Sequence, residues 1–377
     1  MAKEIIKRSI NLEKLAKKGR TAVIYGPRRA GKTTLLQAFL AGSGKKYKLD
    51  SGDNRKTREI MSSEDFDKIT GYAAGYEIVA IDEAQKIPGI GQGLKILTDQ
   101  SPELSVIATG SSSFELSQQI GEPLTGRKRT VILFPLSQIE MLAKYNKFEL
   151  KERLAEFLVF GSYPEVAIAK TRREKIEALE EINNSYLLRD IFSLEKIKGS
   201  KQLSDLLKLV AFQVGHEVSL NELAAQVKLD VKTVDRYLDL LEKSFVLKKL
   251  TAFSRNLRGE IATKNKYYFL DNGIRNAVIS QFNDLENRND TGQLFENFLV
   301  MERLKANAAK KRVGSAYFWR SYSGEEVDYI EERNGKLAGY EFKWAKNKAK
   351  KPKLWLGAYP GAEWKVINKD NYLDFVL

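Results

Sequence analysis

The sequence has no cysteine and a single histidine, His216, among its 377 residues. Disulfides, thiolate zinc sites and cysteine nucleophiles are excluded, as are histidine-cluster metal centres. Any metal must sit on carboxylates, hydroxyls and phosphates, which favours Mg²⁺ or Mn²⁺. Long apolar runs are missing too. Uninterrupted ones such as Ile78–Ile81, Val131–Phe134 and Leu209–Phe212 fall far below the roughly 20 residues that span a bilayer. The amino terminus, Met1 to Gly19, lacks the continuous apolar stretch of a secretion signal. The expectation is a cytoplasmic protein with no membrane partner.

What is present in excess is positive charge. The chain has 63 Lys and Arg against 49 Asp and Glu, a net +14, with 43% apolar residues. That is a globular composition carrying a field suited to polyanions. At roughly 100–200 residues per domain, the length allows two or three hydrophobic cores.

Changes of pattern predict four segments. Over 1–145, short apolar runs (Thr21–Tyr25, Ile78–Ile81, Leu104–Ala108, Thr130–Phe134) alternate with helical stretches, which predicts an α/β domain with a parallel sheet. Residues 146–200 read as a helical connector. Residues 201–275 begin with the 3.6-residue periodicity of Leu203, Leu206, Leu207, Val210 and Ala211 and continue as a winged helix-turn-helix. Residues 276–377 mix short strands with a helix at Gly292–Lys305 and read as α+β.

Gly26-Pro27-Arg28-Arg29-Ala30-Gly31-Lys32-Thr33 follows one apolar run and opens the helical stretch from Thr34. This is GxxxxGK[ST] in the strand–loop–helix context that the motif requires. Glycines let backbone N–H groups converge on anionic oxygens. Lys32 reaches the β/γ-phosphates, and the Thr33 hydroxyl ligates Mg²⁺. ATP with Mg²⁺ is the expected cofactor. A second apolar strand ends in Asp82-Glu83, where Asp82 would hold Mg²⁺ and Glu83 would polarise the attacking water. A third runs into Thr109-Gly110-Ser111-Ser112, and Ser111 reads either as a γ-phosphate sensor or as an ordinary turn residue. Arg127 and Arg129 precede the fourth strand. They read as guanidinium donors to a neighbouring subunit's triphosphate, Arg127 foremost, or as a solvated basic hairpin.

Val23 to Lys32, Ile81-Asp82-Glu83-Ala84-Gln85, Thr109-Gly110-Ser111-Ser112, Gly126-Arg127 and Pro135-Leu136-Ser137 together resemble the archaeal and bacterial ATPases of the extended AAA superfamily. That family joins such a module to a helical segment and a carboxy-terminal domain resembling restriction endonucleases. The resemblance implies ATP hydrolysis, assembly into an oligomer (in the ring case a hexamer), and, for the segment Tyr186-Leu187-Leu188-Arg189-Asp190, a family element in which Arg189 senses nucleotide or pairs with Asp190.

In the third segment, Ser219 can cap Leu220–Val227 and Asp230 can cap Val231–Lys243. Two apolar strands then flank a basic excursion with Arg255, Arg258, Lys264 and Lys266, a wing suited to phosphate contact. Lys232 and Arg236 on the second helix are balanced by Asp235, Asp239 and Glu242. That balance argues against base-specific reading and leaves packing or a protein interface open.

In the fourth segment, period-2 alternation puts Glu326 and Asp328 on one strand face, and Glu341 and Lys343 on one face of the next. This resembles the nuclease core written PD-(D/E)xK, with Asp328 and Glu341 as metal ligands, Lys343 as the lysine and Glu296 as the helix acid. Val327 stands where the motif has proline. The alternative is charge alternation on a solvated sheet face. Immediately after comes a block from Lys343 to Lys353 with six lysines, among them Lys346, Lys348, Lys350 and Lys351, and no acid. Such a block can release counterions from nucleic acid, with Trp344 stacking on a base. The expected partner is DNA, branched or partly single-stranded. The expected function is ATP-driven remodelling of that DNA, with ATP-dependent cleavage or a switch acting on a protein partner as alternatives.

Overall fold

The computed structural model describes residues 5–111, 121, 123–184, 200–254, 264–321, 323–345 and 349–377. It forms two compact units. One is Arg8–Pro135 with Lys243–Phe245; the other comprises Met1–Lys7, Leu136–Glu242 and Val246–Leu377.

In the first unit, β1 (Arg20–Tyr25), β2 (Tyr47–Ser51), β3 (Ile78–Asp82), β4 (Ser105–Gly110) and β5 (Lys128–Ile132) form a five-stranded sheet in the order β2-β3-β4-β1-β5. Every pairing is parallel, as the expected α/β alternation requires. The central strands are largely apolar because both sheet faces are covered: all of β4 is buried, and only Arg20 of β1 is exposed. Helix α1 (Lys32–Gly42) lays Leu36 and Leu40 against Ala22, Ile24, Ile78, Ala80 and Ile107. Burial of each leucine contributes roughly 1.5–3 kcal/mol. The carboxyl ends of β1, β3 and β4 lie at one sheet edge, with β1 and β3 flanking β4. Strand order reverses there, and open α/β sheets place their ligands at that edge.

The second unit carries a seven-stranded sheet in the order β12-β11-β10-β9-β7-β8-β6. Its helix-turn-helix consists of α2 (Leu220–Val227), capped by Ser219, and α3 (Val231–Lys243). It is framed by β6 (Glu217–Val218), β7 (Leu247–Ala252) and β8 (Asn265–Phe269). Then follow α4 (Thr291–Ala309), β9 (Ser315–Arg320), β10 (Glu326–Arg333), β11 (Lys336–Phe342), α5 (Lys353–Ala358) and β12 (Glu363–Ile367). Strands β9, β10 and β11 are antiparallel neighbours, and β12 returns parallel to β11 across α5. Val327, Ile330 and Leu337 pack with Phe253 and Trp355 in one core cluster.

The sheet crosses the boundary expected at residue 275. β7 pairs in parallel with β9, placing Thr251 opposite Tyr317 and Ala252 opposite Phe318. The third and fourth sequence segments therefore share one sheet. The wing hairpin reads as self-contained in sequence, but its β7 edge has backbone groups that need a partner, and β9 supplies them.

Candidate functional site

The loop after β1 is shaped by two glycines. At Gly26, φ is +153°, and a Cβ would lie 2.2 Å from the Leu133 carbonyl oxygen. The close approach keeps the loop tight against the start of the segment after β5, where the Leu133 N–H donates to Tyr25 O at 2.7 Å. At Gly31, φ is +93°, and it caps α1 without any side-chain hydrogen bond. The first-turn amides of α1 thus have no capping side chain, and the positive end of the helix faces the loop. That is a cradle for phosphate oxygens.

Lys32 is buried, and its ammonium donates to the carbonyls of Gly26 at 2.9 Å and Pro27 at 3.0 Å. It lies across the loop that it would serve. The exposed Thr33 hydroxyl donates to Asp82 Oδ2 at 2.6 Å, and Thr34 beside it is also exposed. Arg8, which no motif marks, also belongs here. Its guanidinium donates to Ala30 O at 2.7 Å and also binds Phe134 O, tying the loop to the segment after β5.

Asp82 and Glu83 stand at the end of β3. Thr109, on β4, donates to Asp82 Oδ1 and accepts from the Glu83 N–H at 3.2 Å. Glu83 is left-handed, with φ 50° and ψ 42°. Non-glycine residues adopt that conformation at a cost of order 1–3 kcal/mol and cluster at functional sites. The Gln85 amide donates to Glu83 Oε2 at 2.6 Å and to Ser111 Oγ at 2.9 Å. Ser111 is buried at the tip of β4 and meets Glu83 through this amide. Thr109 and Gln85 join the two acids in one hydrogen-bond network, and the sequence alone assigns them no role. The polar residues at the tip of an otherwise apolar strand are the available signal.

Arg127 lies elsewhere. It precedes β5, whose Ile132 is the residue level with Tyr25. That puts Arg127 at the opposite sheet edge from the phosphate loop, roughly 16 Å of strand away. Its guanidinium pairs with Asp99 at 2.5 Å, and Arg129 donates to Lys14 O at 3.0 Å. Neither arginine reaches its own chain's loop.

In the second unit, Glu296, Glu326, Asp328 and Glu341 lie near enough to shift one another's titration. Lys343 pairs with Glu341 at 2.8 Å, and Asp328 Oδ2 accepts the Phe342 N–H at 2.7 Å. Glu296, on α4, accepts the Tyr268 hydroxyl at 2.7 Å. Burial, reinforced by the charge of Glu296, pushes the Asp328 carboxyl up to about 7. Burial, then Asp328, raises Glu341. Burial alone would lower the Lys343 ammonium, but its bond to Glu341 holds it above its usual range.

Lys266 corrects one expectation. The sequence places it in a wing that touches phosphate, yet its side chain is 1% exposed and pairs with Glu326 at 2.6 Å and Glu296 at 3.4 Å. Alternation along β8 turns it inward with Tyr268, which a basic-excursion reading does not register. Trp344 likewise packs edge-on against Phe295, with centroids 5.4 Å apart. Lys232, Arg236, Lys264, Lys350 and Lys351 are exposed. Arg255, Arg258, Lys346, Lys348, Arg189, Asp190 and Ser112 lie outside the described residues. Among the described residues no cluster of three or more carboxylate or imidazole groups is disposed to hold a metal ion. No helix among them is long and apolar enough to cross a membrane.

Comparison with known proteins matches residues 18–142 to the family described as AAA domain (AAA_14). Residues 151–285 match a domain of unknown function (DUF8612), and residues 291–356 another (DUF4143). MJ1544 of Methanocaldococcus jannaschii is 25% identical over 350 residues, covering 87% of this chain and 75% of its own. An uncharacterized protein of Haemophilus influenzae is 26% identical, covering 88% and 84%. Rv2008c of Mycobacterium tuberculosis is 26% identical, covering 85% and 69%. A solved structure, protein VC1899 from Vibrio cholerae, aligns over 94% of this chain at 10% identity and a TM-score of 0.19, and supports no structural argument. The amino-terminal unit is thus similar to AAA-type P-loop domains, a match that suggests ATPase activity.

Proposed function

We propose that this protein is an ATP-hydrolysing motor or switch of the AAA type, working in the cytosol, whose second unit binds DNA without reading base sequence. The observation that carries the ATPase reading is the Thr33–Asp82 pair, 2.6 Å apart at the carboxyl edge of the first sheet, beside a helix start with no side-chain cap. A hydroxyl and a carboxylate so placed suit Mg²⁺ carried in with ATP, and the bare helix start suits its phosphates. Bound Mg²⁺ would neutralise charge on the triphosphate. Lys32 would leave the loop carbonyls for phosphate oxygen. Glu83, steadied by Gln85, would orient the attacking water, and Ser111 would report the γ-phosphate through the same amide. A guanidinium from a neighbouring subunit would complete the site, and Arg127, half-exposed beside Asp99, is the candidate once subunits assemble.

The DNA reading rests on charge. The chain carries a net +14, with exposed Lys350, Lys351 and Lys353 after β11 and exposed Lys232 and Arg236 on α3. Asp235 and Asp239 share the α3 surface, so its contacts suit phosphate better than base edges. Branched or partly single-stranded DNA, remodelled at the expense of ATP, fits a protein that grips backbone. A nuclease-like fold is a second reading, favoured by the proximity of Asp328 on β10, Glu341 and Lys343 at the end of β11, and Glu296 on α4. Salt-titrated binding to four-way, single-stranded and duplex DNA tests the proposal, with strand cleavage scored in the same samples. Expected are binding that weakens steeply with salt and intact DNA in Mg²⁺ and Mn²⁺. Binding absent at about 50 mM salt would point instead to a protein partner.

A further inference from the structure

A divalent ion is what a PD-(D/E)xK arrangement implies for Glu296, Asp328 and Glu341, yet the residues present do not fit one. The Glu296–Glu326 side of the cluster already contains a cation. Lys266 enters from β8, where its backbone pairs with Leu250 of β7 and Glu217 of β6. Its ammonium reaches Glu326 Oε1 at 2.6 Å and Glu296 Oε1 at 3.4 Å. Burial alone would lower its pKa, but the charges of Glu296, Asp328 and Glu326 raise it instead, so the ammonium stays protonated. One oxygen of each carboxylate is also already engaged. Asp328 Oδ2 accepts the Phe342 amide, Glu296 Oε1 accepts Tyr268 as well as Lys266, and Glu341 is held by Lys343.

We infer that Lys266 is the resident cation of this cluster, an internal ammonium standing where a divalent ion would, and that the second unit in its folded form takes up no catalytic metal there. The strand that brings the lysine belongs to the wing hairpin, so the cluster doubles as a clamp joining that hairpin to α4 and β10. A metal could enter only by expelling a buried ammonium, which would leave one charge stranded without a partner. This inference stands on the cluster alone and does not depend on ATP hydrolysis or DNA binding.

The test is Mn²⁺ binding, counted by electron paramagnetic resonance on the full-length, nucleotide-free chain in an Asp82→Asn background that removes the carboxylate of the ATP site. With Lys266 present, the expected result is no Mn²⁺ bound tighter than about 1 mM, and Lys266→Arg, which keeps the charge, should match it. Lys266→Met should bind one Mn²⁺ at least about ten-fold more tightly, and adding Glu326→Gln should reduce that binding again. The inference is overturned if the Lys266 protein binds Mn²⁺ and Asp328→Asn or Glu341→Gln abolishes it. It is equally overturned if Lys266→Met folds, by circular dichroism, and binds none. Should Lys266→Met not fold, the Lys266 and Lys266→Arg titrations still decide. Because DNA and ATP are absent, failure here leaves the proposed function standing, and the reverse also holds.

Discussion

The Thr33 hydroxyl and the Asp82 carboxylate, separated by 49 residues of chain, meet at 2.6 Å where α1 begins and β3 ends. Parallel pairing of β3 and β1 with β4 between them brings the two together. The proposed ATP site is thus a property of the sheet as much as of the motifs.

Lys32 is hydrogen-bonded to the loop carbonyls of Gly26 and Pro27, so it supports the loop before any phosphate arrives. Lys32→Ala should weaken ATP binding at least about 100-fold, read by fluorescence titration with a labelled nucleotide. Lys32→Arg should keep the charge but recover little affinity, because a planar guanidinium cannot take the ammonium's place.

Thr109 serves both acids of the site. Thr109→Val keeps shape and removes the hydroxyl that binds Asp82 Oδ1 and the Glu83 amide. The Mg²⁺ concentration for half-maximal hydrolysis should rise about ten-fold and kcat should fall by a similar factor, of the size expected when one positioning hydrogen bond is removed. Thr109→Ser should recover most of both. An unchanged Mg²⁺ requirement would remove Thr109 from the positioning role.

The carboxylate cluster predicts a pH effect on stability. Asp328 faces Glu296, Glu326, Glu341, Lys266, Lys343 and the Phe342 amide, and four carboxyls share two ammonium groups. Its carboxyl titrates at about 7 in the fold against 3.8 ordinarily. Across that interval the folded chain holds a proton that the unfolded chain has released. The stability it contributes is therefore greatest below 3.8 and falls as pH rises towards 7. Asp328→Asn, neutral at every pH, should flatten this decline and give the higher melting temperature at about pH 8. Parallel melting curves for the two proteins from about pH 5 to 8 would contradict the assignment.

Charge reversal at exposed Lys350 and Lys351 tests the DNA surface. Lys350→Glu/Lys351→Glu should weaken binding to every DNA alike and lower the slope of log K against log salt by about 1–2, about one for each phosphate no longer neutralised. Weakening confined to one sequence would indicate base reading instead.

Much of the first unit is legible in its sequence. Its central strands are buried on both faces and so appear as largely apolar runs, whereas the polar, half-exposed edge strand β2 leaves no such run; Gly26–Thr33 has a backbone requirement that few sequences meet by chance. The second unit is less legible, because its sheet is built from hairpins far apart in sequence. Nothing local to Thr251 or Tyr317 announces that they are neighbours, so the shared sheet has no sequence signature. Lys266 sits among basic residues, and its role appears only when β8 faces α4. Arg8 and Gln85 act through carbonyls and side chains of distant segments, which residue type alone does not reveal.

Steady-state ATP hydrolysis by the full chain, measured with and without four-way DNA and beside Glu83→Gln, tests the central claim most directly. The account predicts Mg²⁺-dependent turnover, stimulated at least about five-fold by the DNA and reduced about 100-fold or more in Glu83→Gln with ATP binding retained. Turnover that ignores DNA, or that survives in Glu83→Gln, would contradict it.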